Sequence, residues 1–365
     1  ARHKFVVSRI GDAAMLGAIA VLLHAYGTLG IRELSAAVAD HPAGHDGAAW
    51  AALLLAIAAI AKSAQVPLHG WLPDTLEAPT AVSALMHAGI INAGGFLLVR
   101  MSPLMAEAPG VLTLLAAIGA ITAVLGVLAM WAQTDIKKAL AWSTVAQMGF
   151  MVLQCGLGAF AAALVHLLGH GCYKAQAFLR SGSVPAATMP LPPPSAPGAL
   201  LVRWAAALAS AAGLVWAGHA AVGADIAAVP GGWVLAAVIA LAAAHLLAAP
   251  IAGGAWRGPA LAVALVALAV PGLHAVHGWF GTTLGDAPDL LARGAIGAAL
   301  AVTVASALVG LATLGVLLPW FGRTAVGQRL RIHAHHGFYL GLRAERIVRA
   351  LWSPAAIHRT IPAHG

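Results

Sequence analysis

The sequence predicts an all-α fold, a polytopic bundle of transmembrane helices with about ten spans, some of them discontinuous. Of the 365 residues, 61% are hydrophobic and only 9% are charged, whereas a soluble domain carries roughly 25% charged residues. The mean hydropathy is +0.88. Apolar runs of about 18 residues or more recur along the chain without strand-like alternation, which favours helices over a barrel.

The apolar runs define the predicted spans in order. They are residues 11–31, 47–66, 79–101, 109–132, 140–156, 158–181, 198–219, 231–250, 258–277 and 292–319. A proline-rich stretch divides them, because its residues cannot continue a helix. The predicted regions are 1–184, a core with many polar residues, 185–198, the linker, 199–322, the C-terminal transmembrane helices, and 323–365, a basic tail.

Charge predicts the orientation of the chain. The formal net charge is +8, and the arginines cluster in loops and in the tail, which indicates contact with anionic lipid headgroups and no role for nucleic acid. The loop with Lys137 and Lys138 falls on the side of both termini, while Asp225 and Asp286 lie in opposite loops. The positive-inside rule then predicts that both termini are cytoplasmic. The sequence starts without Met and shows no signal-peptide cleavage site, so we expect a fragment or a trimmed protein.

The tail has two interpretations. Arginines alternate with Leu and Ile across residues 323–352. This pattern suits an amphipathic helix at the membrane interface, and a solvated basic tail is the alternative.

Lys62 is the first candidate for ion transport. It ends an apolar stretch and is followed closely by Pro67, which breaks the helix. Ionisable side chains inside a bilayer are costly and therefore functional candidates, and desolvation lets an amine release its proton. The alternative is a lysine that extends to the membrane interface.

The next apolar segment holds His87, which can pass protons because histidine titrates near neutrality. A core histidine bonded to a carbonyl is the alternative. Asn92, Gly94 and Gly95 share this segment, and the small residues predict close helix packing.

Asp135 suits the N-terminus of a further helix, where Lys137 and Lys138 follow. The two lysines either face water or feed an ion path from the cytoplasmic side.

The strongest group of candidates for ion transport lies in one later helix and consists of His166, His170 and Lys174. Their spacing of four places them on one face of a helix, as a proton relay requires. A structural polar seam is one alternative. A zinc site is another, but no nearby carboxylate completes it and Cys172 points elsewhere.

His245 lies in the middle of a later span and is either a relay or a satisfied core histidine. Cys155 and Cys172 are expected to be ordinary buried thiols. No phosphate-binding loop, Cys-x-x-Cys or nucleophile–base pair occurs, so we expect a chain that makes and breaks no covalent bonds and holds no cofactor, a transporter rather than an enzyme.

Residues 61–74 (AKSAQVPLHGWLPD), 77–88 (EAPTAVSALMHA), 135–144 (DIKKALAWST) and 166–174 together resemble the proton-conducting antiporter-like subunits of respiratory complex I and Mrp-type antiporters. The resemblance covers residues 1 to about 184. It implies that Lys62, His87, Lys138, His166, His170 and Lys174 lie on a central hydrophilic axis, with Lys137 or Lys138 in the basic position.

Two features depart from that family. The family has a glutamate on an earlier helix that pairs with the lysine at position 62, and no such span precedes it here. Either the chain is truncated or this half of the path lacks its acidic partner. Family members also carry a lysine in a later broken helix, whereas no lysine follows Lys174.

Residues 87–98 (HAGIINAGGFLL) and 169–180 (GHGCYKAQAFLR), with the short C-terminal half, are more similar to the membrane subunits of two-component bacterial inorganic-carbon (CO2/bicarbonate) accumulation systems. That resemblance implies a large cytoplasmic partner that binds zinc and resembles β-carbonic anhydrases. The second functional hypothesis is an antiporter-like subunit of complex I or of an Mrp antiporter. The third is a structural remnant that conducts no ions.

Overall fold

The computed structural model describes residues 2–40, 46–75, 77–182, 196–248, 256–283, 298–343 and 346. Helices build this part of the chain, and no strand occurs in it. The N-terminal helices are α1 (Arg2–Tyr26), α2 (Ile31–Asp40), α3 (Asp46–Lys62), α4 (Thr80–Ala88), α5 (Ala93–Arg100), α6 (Ser102–Ala106), α7 (Pro109–Ala132), α8 (Ile136–Gly156) and α9 (Phe160–Leu179). The C-terminal helices are α10 (Pro197–Val222), α11 (Gly232–Ala248), α12 (Arg257–Thr283), α13 (Ala298–Phe321) and α14 (Ala325–His335).

Six helical segments are long and apolar enough to cross a membrane. They are Lys4–Tyr26, Thr80–Arg100, Pro109–Ala132, Pro197–Val222, Arg257–Phe280 and Ala299–Phe321. Gly47–Lys62 and Gly232–Ala248 are shorter apolar helices. The predicted helical membrane fold is confirmed, while the count of ten spans stays a prediction. Most of the predicted linker, residues 185–195, lies outside the described residues.

The predicted span at 79–101 is interrupted. Helix α4 ends at Ala88, a 3-10 turn covers Ile90–Asn92, and α5 begins at Ala93. The Asn92 amide nitrogen donates to the Ala88 carbonyl at 2.7 Å. This side chain therefore bonds a carbonyl near the helix end, where the regular ladder is lost.

Glycines fix close contacts around this break, as predicted. A Cβ on Gly94 would lie 2.5 Å from the Ala59 carbonyl oxygen of α3, and one on Gly171 of α9 would lie 2.9 Å from the Ala88 carbonyl oxygen. Larger residues would therefore push α3 and α9 away from the break.

The chain also leaves helical geometry directly after Lys62. Ala64 has a φ of +48°, and the Val66–Pro67 peptide bond is cis. The Ser63 hydroxyl donates to the Ile91 carbonyl at 2.9 Å, so the two irregular segments touch. Both breaks therefore lie in the interior of the N-terminal helices.

Helices α7 and α8 form the tightest pair. A Cβ on Gly119 would lie 2.4 Å from the backbone nitrogen of Leu153, and one on Gly149 would lie 2.5 Å from that of Ala123. Small residues at such a crossing let two backbones approach closely. Helix α8 is thereby held in a fixed position against α7.

The final described segment returns to the N-terminal half. Gly327 and Ala334 are the buried residues of α14, which packs on α7, while Arg329 and Arg331 are exposed. The prediction of an amphipathic tail extends over residues 344–352, and of these only residue 346 is among the described residues.

Candidate functional site

Lys174 is the centre of the candidate site. Its side chain is fully buried, with an exposure of 0%. The ammonium donates to the Leu140 carbonyl at 3.1 Å and to the Ser143 hydroxyl, both on α8. Burial disfavours the charged amine and the two oxygens favour it, so the site can support a lysine that gains and loses a proton.

His87 of α4 is connected to the same carbonyl. Its Nδ1 lies 3.0 Å from the Thr144 hydroxyl oxygen, and that hydroxyl donates to the Leu140 carbonyl at 3.0 Å. The ring stacks on Phe178 of α9, with centroids 4.4 Å apart. The structure thus brings together His87 and Lys174, which are far apart in the sequence.

His170 lies between Lys174 and His166 on α9, as the spacing predicted. Its ring is 5% exposed, and neither ring nitrogen has a hydrogen-bond partner within the described part of the chain. His170 lies one helical turn from both His166 and Lys174 on α9. Its nitrogens are available to take and give a proton in the middle of the row.

His166 occupies the other end of the row. Its ring centroid is 6.0 Å from that of His170, and its Nδ1 donates to the Gln154 amide oxygen at 2.8 Å. The side chains of His166 and Gln154 line a largely apolar cavity of about 500 Å³ whose other wall includes Leu235 of α11 and Leu273 of α12. The row therefore ends where the N-terminal and C-terminal helices meet.

Lys62 has an acidic partner, contrary to one sequence-based expectation. The Lys62 ammonium lies 2.8 Å from a carboxylate oxygen of Asp12 on α1, and the same ammonium donates to the Ser8 hydroxyl at 3.3 Å. Arg9 pairs with Asp12 as well. The side chains of Lys62 and Asp12 are 41% and 32% exposed in the isolated chain. Of the two sequence-based alternatives, a truncated chain or a path without its acidic partner, the second was wrong, because pairing between α1 and α3 depends on tertiary packing.

Lys137 and Lys138 start α8 and remain outside the buried row. The Asp135 side chain accepts from the Lys138 backbone N–H at 2.8 Å, so Asp135 caps the helix as predicted. Lys138 is exposed and lines a separate polar cavity, whereas Lys137 is half-buried.

His245 lies in the C-terminal half, away from the helices that hold Lys174. It is exposed on α11, its Nδ1 lies 2.8 Å from the Leu241 carbonyl oxygen, and its ring meets Trp204 edge-on. These contacts match the satisfied-histidine alternative more closely than the relay.

Several site residues were missed by sequence reasoning. They are Asp12, Ser143, Thr144 and Gln154. Polar residues in apolar helices are a usable signal, but they acquire a role only when a partner on another helix is known.

The two cysteines behave differently. Cys155 is buried, as expected, but Cys172 is exposed, because it lies on the opposite side of α9 from His170 and Lys174. Within the described residues, no group of three His, Cys, Asp or Glu side chains is placed to hold a metal ion.

Comparisons with known proteins place this geometry in context. The family model described as "NADH:quinone oxidoreductase/Mrp antiporter, TM" matches residues 1–192. A solved Mrp complex from Dietzia sp. DQ12-45-1b superposes over 100% of this chain and 41% of its own, with 27% identity and a TM-score of 0.48.

Three curated relatives differ in how much of the chain they cover. "Probable inorganic carbon transporter subunit DabB2" of Halothiobacillus neapolitanus is 38% identical over 96% of this chain and 64% of its own length. DabB1 of the same organism, similarly named, is 49% identical over 49% of this chain and 33% of its own. "NADH-quinone oxidoreductase subunit L" of Escherichia coli is 44% identical over 50% of this chain and 30% of its own. The chain thus spans less than two thirds of the length of each.

Proposed function

Because the chain belongs to the NADH:quinone oxidoreductase/Mrp antiporter transmembrane family, we propose that it is the proton-conducting membrane subunit of an energy-coupled inorganic-carbon uptake complex. In this proposal about ten spans cross a bacterial inner membrane, and both termini are cytoplasmic. The chain holds no cofactor of its own. Its partners are membrane lipids and a large cytoplasmic zinc-binding subunit resembling β-carbonic anhydrases.

The observation that carries conduction is the connection between His87, Lys174, His170 and His166. Lys174 is fully buried yet bonded to two oxygens of α8. His170 offers two ring nitrogens free of protein partners in the described chain. In the proposed mechanism Lys174 and Lys62 hold and release protons, and His87, His170 and His166 pass them along.

The inorganic-carbon assignment rests on similarity along the chain. The relative named as an inorganic carbon transporter subunit aligns with 96% of the residues, including the C-terminal helices. The relative named as a subunit of an NADH-quinone oxidoreductase aligns with 50%. A proton-pumping subunit of complex I or of a cation/proton antiporter is therefore the second candidate. Both share the conducting core and differ in the partner.

The Asp12–Lys62 pair bears on the third reading, a non-conducting remnant. That interpretation depends on the absence of an acidic partner for Lys62. Asp12 supplies one, because its carboxylate oxygen lies 2.8 Å from the Lys62 ammonium. The pair favours a working path over a remnant.

The decisive test of conduction is Lys174→Ala in the complete complex. Proton uptake by inside-out vesicles and inorganic-carbon uptake by cells should both be lost, while the purified complex keeps its composition. Lys4→Ala is the matched control, because Lys4 is an exposed lysine of α1. Unchanged uptake by an assembled Lys174→Ala complex would contradict the proposal.

The partner is tested separately, by mild-detergent purification and mass spectrometry of the proteins that remain bound. A large soluble zinc protein of carbonic-anhydrase type is the expected result. Respiratory-chain subunits, or a set of small antiporter subunits, would favour the second candidate instead.

A further inference from the structure

A polar cavity lies at the end of the N-terminal bundle where α8 begins. Its volume is about 340 Å³, which is room for several water molecules. Three separate parts of the chain form its wall: the irregular segment after Lys62, the start of α8, and the end of α14 with the residues that follow it. The titratable residues that line it are His69, Asp74, Lys138, His335 and His336.

The C-terminal segment is fixed across this cavity by direct contacts. The His335 Nδ1 lies 3.1 Å from the Ala132 carbonyl oxygen, and the Gln133 amide donates to the His335 carbonyl at 3.2 Å. Gly337 has a φ of +56°, and a Cβ there would lie 2.6 Å from the Trp142 ring. The register of this segment is therefore set by the turn between α7 and α8, and His336 is held at the cavity wall.

The inner wall of the cavity adjoins the part of α8 that contacts the buried row. Trp142 is 8% exposed, and its ring centroid is 5.4 Å from that of His69, which is 1% exposed. Ser143, the next residue of α8, accepts a hydrogen bond from Lys174. The cavity and the oxygens that hold the Lys174 ammonium are thus on the same stretch of α8.

We propose that this cavity is the vestibule through which protons pass between the aqueous phase and the buried row, and that the C-terminal segment supplies part of its proton-exchanging wall through His335 and His336. This inference rests on the proposed conduction by Lys174. Imidazoles exchange protons near neutral pH, and the carboxylate of Asp74 with the amine of Lys138 keeps the wall polar. The C-terminal segment thereby becomes a component of the path, although it lies outside the family match at residues 1–192.

The test introduces one cysteine into a complex from which Cys155 and Cys172 have been replaced by Ala and Ser. His336→Cys places the thiol at the cavity wall. His333→Cys is the matched control, because His333 is exposed on α14 and does not line the cavity. Inside-out vesicles are treated with a membrane-impermeant, positively charged methanethiosulfonate reagent, and proton uptake is measured before and after.

We expect modification of His336→Cys to slow proton uptake several-fold, because a fixed positive charge and added bulk fill the vestibule. Modification of His333→Cys should leave the rate unchanged. Leu342→Cys, which also lines the cavity, serves as a second variant if His336→Cys does not assemble, and the same inhibition is expected.

If complete labelling of a cavity position left the rate of proton uptake unchanged, the result would overturn the proposal that the cavity is a vestibule. Such a result leaves conduction intact if Lys174→Ala still abolishes uptake. Retained uptake in Lys174→Ala would instead contradict the proposed function itself, so the two failures are distinguishable.

Discussion

His87 and Lys174 are linked through one backbone carbonyl, that of Leu140, which accepts from the Lys174 ammonium at 3.1 Å and from the hydroxyl of Thr144 at 3.0 Å. The His87 Nδ1 contacts that same hydroxyl at 3.0 Å. Helices α4 and α9 are therefore connected through polar atoms of α8. Because this carbonyl only accepts, it does not itself pass a proton, but it fixes the positions of His87 and Lys174 relative to each other.

Replacing Thr144 with Val should test this connection. Valine keeps the shape of threonine but lacks the hydroxyl, so His87 loses its partner while the packing is retained. We expect proton uptake to fall by roughly tenfold, the factor that corresponds to about 1.4 kcal/mol on a transfer barrier. The control is Thr113→Val, since Thr113 bonds the Pro109 carbonyl at an exposed position of α7. A Thr144→Val rate equal to that of the control would show that the hydroxyl does not position His87 for proton transfer.

Asp12→Asn should slow proton uptake several-fold while the complex still assembles. The amide keeps the size of the carboxylate but removes the charge that lies 2.8 Å from the Lys62 ammonium. Asp12→Glu should restore a substantial part of the rate, because it restores the charge. The matched neutralisation is Asp40→Asn at the exposed end of α2, for which no change is expected. If the Asp12→Asn complex took up protons at the wild-type rate, the Asp12–Lys62 pair would have only a structural role.

His170→Ala and His245→Ala are predicted to differ. His170 is buried between two other ionisable residues of α9 and has ring nitrogens free of protein partners in the described chain. We therefore expect His170→Ala to reduce proton uptake by roughly tenfold or more, within the range typical of a lost general acid–base group. His245 is exposed and bonded to its own helix, so its replacement should leave uptake unchanged. If His245→Ala reduced proton uptake more than His170→Ala in the same vesicle assay, the result would assign the relay to the C-terminal helices.

Gly149→Val should destabilise the protein through the α7–α8 contact. A Cβ at Gly149 would lie 2.5 Å from the backbone nitrogen of Ala123, so one helix must shift. Overpacking of this kind typically costs about 1–3 kcal/mol, and we expect a lower melting temperature of the detergent-solubilised complex. At Gly310→Val nothing lies within 4 Å of the added Cβ, and that variant should melt near the wild type. Equal melting temperatures for the two variants would contradict the close crossing.

The sequence was most informative where structure is local. Spacing of four was sufficient to place His166, His170 and Lys174 on one face, because the three share a helix. The Gly94–Gly95 pair predicted close packing, which the structure shows for both residues. These inferences need only helical geometry and the small size of glycine.

Relationships between distant segments could not be derived in the same way. The Asp12–Lys62 pair joins α1 to α3, and the contact of His335 with Ala132 spans most of the chain. Periodicity reports which face of a helix is polar but not which helix lies opposite. The same holds for Ser143 and Thr144, because their partners Lys174 and His87 lie on other helices.

The spacing of His166 and His170 on α9 limits how often both rings are protonated at once. The rings of His166 and His170 are 6.0 Å apart, and two unit charges at about that distance repel by roughly 3 kcal/mol at an effective dielectric constant of about 20. That energy makes simultaneous protonation of both rings about a hundred times rarer than independent sites would allow. His166 and His170 therefore rarely carry a charge at the same time. In the proposed relay, one ring would release its proton before its neighbour accepts the next, so that α9 would carry one charge at a time.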